Sequence, residues 1–287
     1  MTARSQKNWS DDPVDLLRVG PEFRLDEIDP SSTPGYDEGK DRGRADLDAG
    51  AAELDELQER LYAQSRVHED SPAVLLVLQA MDSAGKGGIV RHVVGAVDPQ
   101  GIALAAFKKP TPEEHAHDFL WRIEKRVPEP GFIGVFDRSH YEDVLIGSVR
   151  ALATPEEIER RYGAIVAFEK RLTDRGIRIV KVMLHISSEE QKERLAERLD
   201  RPDKHWKYNP GDVDERALWG DYMAAYQTAI ARTSTSTAPW YVVPANRKWY
   251  ARLAVQALLL DALEDIDPQW PVADFDVDAE KARLAAT

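Results

Sequence analysis

Two charged residues in one short stretch have the spacing needed to handle phosphate. The stretch VLLVLQAMDSAGKGG (74–88) places Lys86 in a glycine-rich turn and Asp82 shortly before it. Backbone N–H groups in such a turn can surround an anion, and the lysine adds a full positive charge. The pattern predicts a phosphate-binding loop; the alternative is a glycine-rich turn that only joins a strand to a helix. The predicted phosphate contacts within the loop are Ser83, Ala84, Gly85, Gly87 and Gly88.

Two letters of this loop depart from the common pattern G-x-x-x-x-G-K-[ST]. Ala80 replaces the first glycine, which costs little if its φ is negative and strains the turn if its φ is positive. Gly87 stands where a Ser or Thr hydroxyl would reach Mg²⁺. A carboxylate beside bound phosphates repels them unless a cation lies between, so Asp82 is predicted to replace the hydroxyl as metal ligand. The alternative role for Asp82 is a helix N-cap.

A second acidic position follows a different apolar run. In GFIGVFDRSHYEDVLI (131–146), Asp137 ends the run and Arg138 comes next. The carboxyl ends of neighbouring parallel strands meet in one crevice, so Asp82 and Asp137 are predicted to share magnesium. Arg138 offers a bidentate donor for phosphate oxygens. The alternative for Asp137 is a cap on the next helix.

Further cations are predicted to form a basic track. In KERLAERLDRPDKHWK (192–207), arginines spaced by four and three share one helical face, and two lysines continue beyond it. These residues are Arg194, Arg198, Arg201, Lys204 and Lys207. The segment is predicted to be a lid that closes over phosphates, and a solvated charged face is the alternative. Lys108, at the end of the second predicted strand, is expected in the same crevice.

The elements that must position these residues alternate between strands and helices. Apolar runs predict strands at 73–79, 102–107, 131–137, 177–186 and 240–245. Helical spacing and end signals predict helices at 51–66, 89–97, 111–127, 154–176, 187–199, 214–233 and 248–263. This alternation implies an α/β fold with a parallel sheet and helices on both faces. We predict one domain at 51–287 with a lid at about 190–215, preceded by an extended arm at 1–50.

Composition excludes several classes of function. The 287 residues contain no cysteine, which rules out disulfides, thiolate zinc sites and thiol nucleophiles and is compatible with a cytoplasmic protein. A net charge of −13 argues against nucleic acid or an anionic membrane as partner. No secretory signal is seen at the N-terminus. His115 and His117 face apart on a helix, so they are not expected to share a metal.

Several motifs together resemble the family-2 polyphosphate kinases. They are QAMDSAGKGG, HDFLWR, GVFDRSHYEDVL, ERLAERLDRPDKHWKYNP and the closing WYVVPANRKWYARL, and the resemblance spans roughly residues 20–265. It implies a three-layer α/β/α P-loop kinase fold similar to thymidylate kinases, with a five-stranded parallel sheet and a helical lid. The forms QAMD and HDFLWR look closest to the class III subgroup, which phosphorylates AMP and ADP. Asp137 departs from several class III members, which carry Asn there.

The resemblance also implies roles for individual residues. Asp82, Lys86, Asp137 and Arg138 match the catalytic positions, and the two acids match metal ligands for Mg²⁺, with Mn²⁺ as a substitute. The cations from Arg194 to Lys207 match polyphosphate contacts. Nucleotide binding is implied for Asp118, Arg122 and Glu142. Family members assemble as homodimers or homotetramers.

The sequence therefore predicts a magnesium-dependent, reversible transfer of the terminal phosphate of inorganic polyphosphate to nucleotides. The expected acceptors are adenine nucleotides, AMP and ADP, with guanine nucleotides as further candidates. One alternative is an ATP-dependent nucleotide kinase of the same fold. Another is a protein that binds nucleotide or polyphosphate without turnover.

Overall fold

The computed structural model describes residues 8–287, so the first seven residues of the predicted arm lie outside the described part. The arm contains the short helix α1 (Pro13–Leu17) and a 3₁₀ turn at Leu25–Glu27. It runs along the domain, where Val19 N donates to Trp240 O at 2.9 Å. Leu25 and Tyr36 are buried in the domain core.

The arm ends earlier than predicted. Helix α2 (Gly39–Ser65) begins at Gly39, whereas the sequence predicted a start at 51. The first turns were not predicted because GKDRGRADLDAG contains several glycines, and glycine is a poor helix former. Packing explains their presence, because a Cβ on Gly43 would lie 2.6 Å from the ring of Trp249. Close approach to a neighbouring helix therefore outweighs the local propensity.

Five parallel strands form the central sheet of the described chain. They are β1 (Ala73–Gln79), β2 (Ile102–Ala106), β3 (Ile133–Asp137), β4 (Ile177–His185) and β5 (Trp240–Pro244), in the spatial order β2-β3-β1-β4-β5. The predicted strands and the parallel sheet are confirmed. β1 lies in the middle and is buried along its whole length, as its continuous apolar run predicts.

Helices cover both faces of the sheet. In chain order they are α3 (Lys86–His92), α4 (Pro112–His115), α5 (Trp121–Glu124), α6 (Glu142–Val149), α7 (Pro155–Asp174), α8 (Ser188–Asp200), α9 (Gly211–Arg216), α10 (Trp219–Thr233), α11 (Lys248–Ile266) and α12 (Val277–Ala285). One core lies between the sheet and α2, α3 and α11, and the other between the sheet and α6, α7 and α10. The predicted three-layer α/β/α arrangement is therefore confirmed.

Besides α2, three further predicted helices differ in extent. The helix predicted at 111–127 is split into α4 and α5, because the Asp118 side chain accepts from Leu120 N at 3.1 Å and starts a new turn. α3 ends at His92 and a 3₁₀ turn, Val94–Ala96, follows it. The helix predicted from 214 is divided between α9 and α10.

The predicted lid region is mostly helical. It comprises α8, a 3₁₀ turn at Pro202–Lys207 and α9. Within residues 8–287, no helix combines the length and apolar composition needed to cross a bilayer.

Candidate active site

The loop between β1 and α3 has the backbone of an anion cradle. Ser83 has a φ of 65° and Gly85 a φ of 121°, while Ala84 between them has a negative φ, so the sign of φ alternates along the loop as in N–H arrays that bind anions. The φ of Ala80 is negative, so alanine fits this position without strain. The Lys86 ammonium folds back over the loop and donates to Ala80 O at 3.0 Å.

An ion pair joins this loop to the end of β3. Arg138 Nη2 donates to Asp82 Oδ1 at 2.6 Å, and Arg138 itself has a φ of 62°. Left-handed backbone at a non-glycine residue is unfavourable and is often found at functional sites. Burial opposes the charge on the guanidinium, but the carboxylates of Glu142 and Asp82 outweigh burial and raise the pKa of Arg138. Arg138 is therefore held as a permanent cation beside the loop.

A basic cavity of about 610 Å³ opens in front of the loop. The structure brings most of the predicted phosphate-binding residues to its wall. The cationic side chains that line it are Lys86, Arg91, Lys108, Arg138, Arg194, Arg198, Lys204, Lys207, Lys248 and Arg252. The imidazole of His92 lies among them, and burial, followed by repulsion from Arg252 and Arg91, lowers its pKa. Its acidic lining consists of Asp82, Asp137 and Glu197. The cavity is thus strongly positive in a chain whose net charge is −13.

Sequence reasoning missed four of these basic groups. Arg91 and His92 come from α3, while Lys248 and Arg252 come from α11. Burial, followed by repulsion from Arg44, lowers the pKa of Arg252, which indicates a cluster of cations without enough counter-charge. The spacing of Lys248 and Arg252, one helical turn apart, was the available signal. This spacing shows that the two residues share a helix face, but it does not show which cavity or neighbouring element that face contacts.

Three of the predicted contacts, Asp118, Arg122 and Arg201, line neither the basic cavity nor a second cavity on the other side of the loop. Arg201 is 48% exposed and pairs with Glu197 and Asp203. Arg201 does not continue the predicted arginine face, because α8 ends at Asp200 and helical spacing no longer applies beyond that residue. Asp118 is 50% exposed and pairs with Arg160.

Arg122, predicted to contact nucleotide, is buried instead. Its Nη1 donates to Lys108 O at 2.8 Å and its Nη2 donates to Asp143 at 3.4 Å. Arg122 therefore supports the main chain that carries Lys108, and it does not itself line the basic cavity.

A second cavity, of about 220 Å³, lies on the other side of the loop. It shares Asp82 and Arg138 with the basic cavity. Its apolar and aromatic lining includes Met81, Leu145, Ile146, Tyr222 and Tyr226, and its polar lining includes Glu142, Asn209, Asp212 and Glu215. This cavity is acidic and aromatic where the first is basic.

Glu142, which lines the second cavity, is held by a buried amide. When the side-chain amide of Gln79 is oriented so that both its nitrogen and its oxygen are hydrogen-bonded, Gln79 donates to Glu142 Oε1 at 2.9 Å and accepts from Ser139 N at 3.1 Å. Burial raises the pKa of Glu142, although Arg138 and Lys86 act against the rise. Burial also lowers the pKa of Lys86, with repulsion from Arg138 adding to that effect.

A buried polar network supports the turn that carries Arg138. Lys181 Nζ donates to Glu169 Oε2 at 2.6 Å and to Thr233 O at 2.7 Å. Tyr141 OH donates to Glu169 Oε1 at 2.7 Å, and His140 Nε2 lies 3.2 Å from the same oxygen. Since Lys181 is 0% exposed, both charges of the ion pair are held away from water. The network anchors the residues immediately after Arg138.

The donor set of the site fits a hard divalent cation. Asp82 Oδ2 and the Asp137 carboxylate have no hydrogen-bond partner among residues 8–287, and the Ser83 hydroxyl is buried there without one. Within that range, no group of three or more His, Cys, Asp or Glu could form an all-protein metal site. Mg²⁺ is commonly held by one or two carboxylates together with substrate phosphates, which is what these residues offer.

A central parallel strand that runs into a lysine-containing phosphate loop, with a helical segment above it, defines the P-loop kinase fold. The family model described as "Polyphosphate kinase 2 (PPK2)" matches residues 39–271. The chain therefore belongs to the polyphosphate kinase 2 family, as its motifs predicted.

Individual relatives agree with this assignment. The chain is 44% identical over 256 residues to the AMP/ADP-polyphosphate phosphotransferase of Meiothermus ruber, covering 88% of this chain and 94% of that protein. It is 40% identical over 254 residues to the ADP-polyphosphate phosphotransferase of Rhodopseudomonas palustris, covering 84% and 86% of the two chains. The crystal structure of polyphosphate kinase 2 from Arthrobacter aurescens TC1 matches with a TM-score of 0.95 and 59% identity, covering 97% of this chain and 98% of that one.

Proposed function

We propose that this chain transfers the terminal phosphoryl group of inorganic polyphosphate to a nucleotide, converting AMP to ADP and ADP to ATP, and that the transfer is reversible. The observation that carries the proposal is the pair of cavities that meet at Asp82 and Arg138. One cavity suits a long polyanion and the other suits a nucleoside. The names of the Meiothermus ruber and Rhodopseudomonas palustris relatives support the same donor and acceptors.

Polyphosphate is assigned to the basic cavity. A chain of phosphates needs cations at several successive positions, whereas a nucleoside triphosphate needs only a short patch. The cavity supplies cations from the loop, from α3, from the lid segment and from α11. Arg198, Lys204 and Lys207 of the lid segment and Lys108 after β2 face the cavity with Lys86. This spread of positive charge favours polyphosphate over ATP as phosphoryl donor.

The acceptor nucleotide is assigned to the second cavity. Tyr222 and Tyr226 offer aromatic surface to a base, and carboxylates such as Glu142 can accept from an exocyclic amino group. Both adenine and guanine carry such a group, so guanine nucleotides remain candidate acceptors. A relative from Pseudomonas aeruginosa, 32% identical, is a GDP-polyphosphate phosphotransferase.

The proposed chemistry is an in-line exchange of one phosphoanhydride for another. An oxygen of the nucleotide's terminal phosphate attacks the terminal phosphorus of polyphosphate. The bond to the next bridging oxygen breaks, and that oxygen leaves as the new, shortened polyphosphate end. Lys86 and Arg138 stabilise the negative charge that develops on the transferred group and on the leaving oxygen. Mg²⁺, with Mn²⁺ as a substitute, would be held by Asp82 and Asp137 and would supply further charge neutralisation.

An assay without ATP tests this function. The purified protein is incubated with polyphosphate, Mg²⁺ and, in parallel, AMP, ADP, GMP or GDP, and the products are separated by chromatography. Formation of ADP from AMP and of ATP from ADP supports the proposal. Activity only when ATP is the donor would indicate an ordinary nucleotide kinase. Binding of polyphosphate and nucleotide without any product would indicate a non-catalytic binding protein.

The assembly implied by the resemblance remains a proposal as well. We propose a homodimer or homotetramer, and sedimentation velocity on the purified chain tests it. A single species with the mass of one chain, 32.3 kDa, would contradict it.

A further inference from the structure

Side chains of helix α8 donate hydrogen bonds to main-chain carbonyls of the phosphate loop. Gln191 Nε2 donates to Asp82 O at 3.0 Å. One turn further along the helix, Arg194 Nη1 donates to Ser83 O at 3.1 Å and to Ala84 O at 2.7 Å. Three consecutive carbonyls of the loop are therefore fixed by two side chains of one helix.

Arg194 has no hydrogen-bond donor left for a ligand. A guanidinium carries five N–H groups. Besides the two loop carbonyls, Arg194 donates to Ala245 O at 2.7 Å, to Asn246 O at 3.0 Å and to Glu190 Oε1 at 2.6 Å. These five contacts use the whole set, and the residue is only 5% exposed. Although Arg194 borders the basic cavity, its bonding differs from that of a phosphate ligand.

The direction of the loop carbonyls decides where the loop N–H groups point. A trans peptide unit is planar, so its C=O and the following N–H point in opposite directions. Fixing the carbonyls of Asp82 and Ala84 toward α8 turns the N–H groups of Ser83 and Gly85 away from α8. Neither of these N–H groups has a hydrogen-bond partner among residues 8–287. The contacts from α8 thus leave two loop donors free to receive an anion.

The same contacts explain the unusual backbone at Ser83. A φ of 65° is unfavourable for serine and persists only where neighbouring groups hold it. The carbonyls on both sides of Ser83 Cα are held, one by Gln191 and the other by Arg194. Gln191 is itself fixed from the far end of the lid segment, because Arg216 of α9 donates to Gln191 Oε1 at 3.2 Å.

We infer that Gln191 and Arg194 are positioning residues for the phosphate loop, acting through its carbonyls rather than by contact with polyphosphate. This revises the role predicted for Arg194, and it rests on the proposed transfer of phosphate at this loop. α8 has two functional parts. Its buried base shapes the loop, and its outer end presents Arg198 to the cavity.

The Gln191→Ala variant tests the inference most cleanly. It removes one neutral side chain that does not line the basic cavity, so it cannot remove a phosphate contact. Loss of one hydrogen bond that is needed in the transition state should lower kcat roughly 10-fold. The KM for polyphosphate should stay within about 2-fold, because the other cavity cations are intact. Lys192→Ala, which removes an exposed cation from the neighbouring position of α8, is the matched control and should behave as the wild type.

Arg194→Lys provides the second arm. It keeps the positive charge but cannot bridge two pairs of carbonyls, so kcat should fall about 100-fold while the KM for polyphosphate changes little. Hydrogen–deuterium exchange should show faster amide exchange in residues 80–88 for both variants and not for Lys192→Ala. A rise in KM with kcat preserved, or unchanged exchange in the loop, would overturn the inference. Should Arg194→Lys fail to fold, Gln191→Ala decides the question alone.

The two hypotheses fail in different ways. If the wild type transfers no phosphate from polyphosphate, the proposed function is wrong, and the exchange experiment still reports whether α8 shapes the loop. If the wild type is active and Gln191→Ala keeps its kcat, the positioning role is wrong and the function stands.

Discussion

At the scale of single residues, the loop has a carboxylate but lacks the usual metal-binding hydroxyl, and we propose that the carboxylate takes over the hydroxyl's role. Gly87 has no side chain to offer a metal, while Asp82 lies in the same loop with one oxygen paired to Arg138. The other oxygen has no partner in the described chain. Asp82 therefore connects the cationic and metal-binding halves of the proposed site, which makes it the residue on which catalysis should depend most.

Asp82→Asn should lower kcat at least 100-fold, because it removes the charge proposed to hold the metal and to neutralise the transferred group. Asn still accepts a hydrogen bond from Arg138, so the melting temperature should change little. Steady-state kinetics and thermal unfolding measure the two effects. Asp174→Asn, which changes an exposed aspartate that pairs with Lys170, serves as control. A variant with most of its turnover intact would exclude the assigned role.

Glu142→Gln should raise the melting temperature at pH 7. Burial raises the pKa of Glu142 above its ordinary value of 4.5, so the native protein binds its proton more tightly than the unfolded chain does. The stabilising contribution of that proton is complete below pH 4.5 and is lost as the pH rises through the native pKa. Gln mimics the protonated form and still accepts from Gln79.

The stabilisation from Glu142→Gln should accordingly shrink as the pH is lowered to about 4, where the wild type is itself protonated. Thermal unfolding at several pH values measures the difference. The exposed Glu193→Gln should show no such trend. A melting temperature for Glu142→Gln that lies below the wild type at pH 7 is incompatible with the raised pKa.

At the scale of elements, the strands could be predicted from the sequence, whereas the start of α2 and the helix faces that line the cavities could not. The strands are predominantly apolar, interrupted within β4 by Arg178 and Lys181, and strands buried on both faces of a parallel sheet need such runs. The start of α2 was missed because Gly43 is explained by contact with Trp249, which lies far along the chain. Likewise, Arg91 and Arg252 meet only in the folded molecule. Local patterns cannot show which helix faces share a cavity.

The cations of α3 and α11 should extend the binding track for long chains. Arg91→Ala and Arg252→Ala should each raise the KM for long polyphosphate several-fold, while leaving the KM for tripolyphosphate nearly unchanged. The reason is that a short donor would already be held by the loop, Lys108 and Arg138. Kinetics with both donors measure this, with the exposed Arg175→Ala as control. Equal effects on the two donors would place these arginines at the reacting phosphate instead.

The buried ion pair beneath the Arg138 turn should matter for stability. Lys181→Met leaves Glu169 charged and unpaired in the core, so the free energy of unfolding should fall by about 3–5 kcal/mol. Adding Glu169→Leu removes the stranded charge and should recover part of that loss. Urea denaturation measures both, and Lys170→Met on the exposed side of α7 is the control. A double variant less stable than the single one would contradict this account.

At the scale of the whole molecule, charge is segregated within an acidic protein. The net charge is −13, and one cavity concentrates cations against that background. The sheet makes this possible, because loops at the carboxyl ends of β1, β2, β3 and β4 converge on one side. The fold, the loop and the family could be read from the sequence. The separation into a basic cavity and a smaller, acidic and aromatic cavity could not, because α3, α6, α9, α10 and α11 form their walls together.

The most direct test of the central claim is the initial rate of ATP formation from ADP and polyphosphate, with Mg²⁺ present and no other phosphoryl donor. We expect sustained formation of ATP by the wild type, accompanied by shortening of polyphosphate, and a rate at least 100-fold lower for Asp82→Asn. Absence of ATP with polyphosphate, together with nucleotide phosphorylation when ATP is supplied as donor, would contradict it.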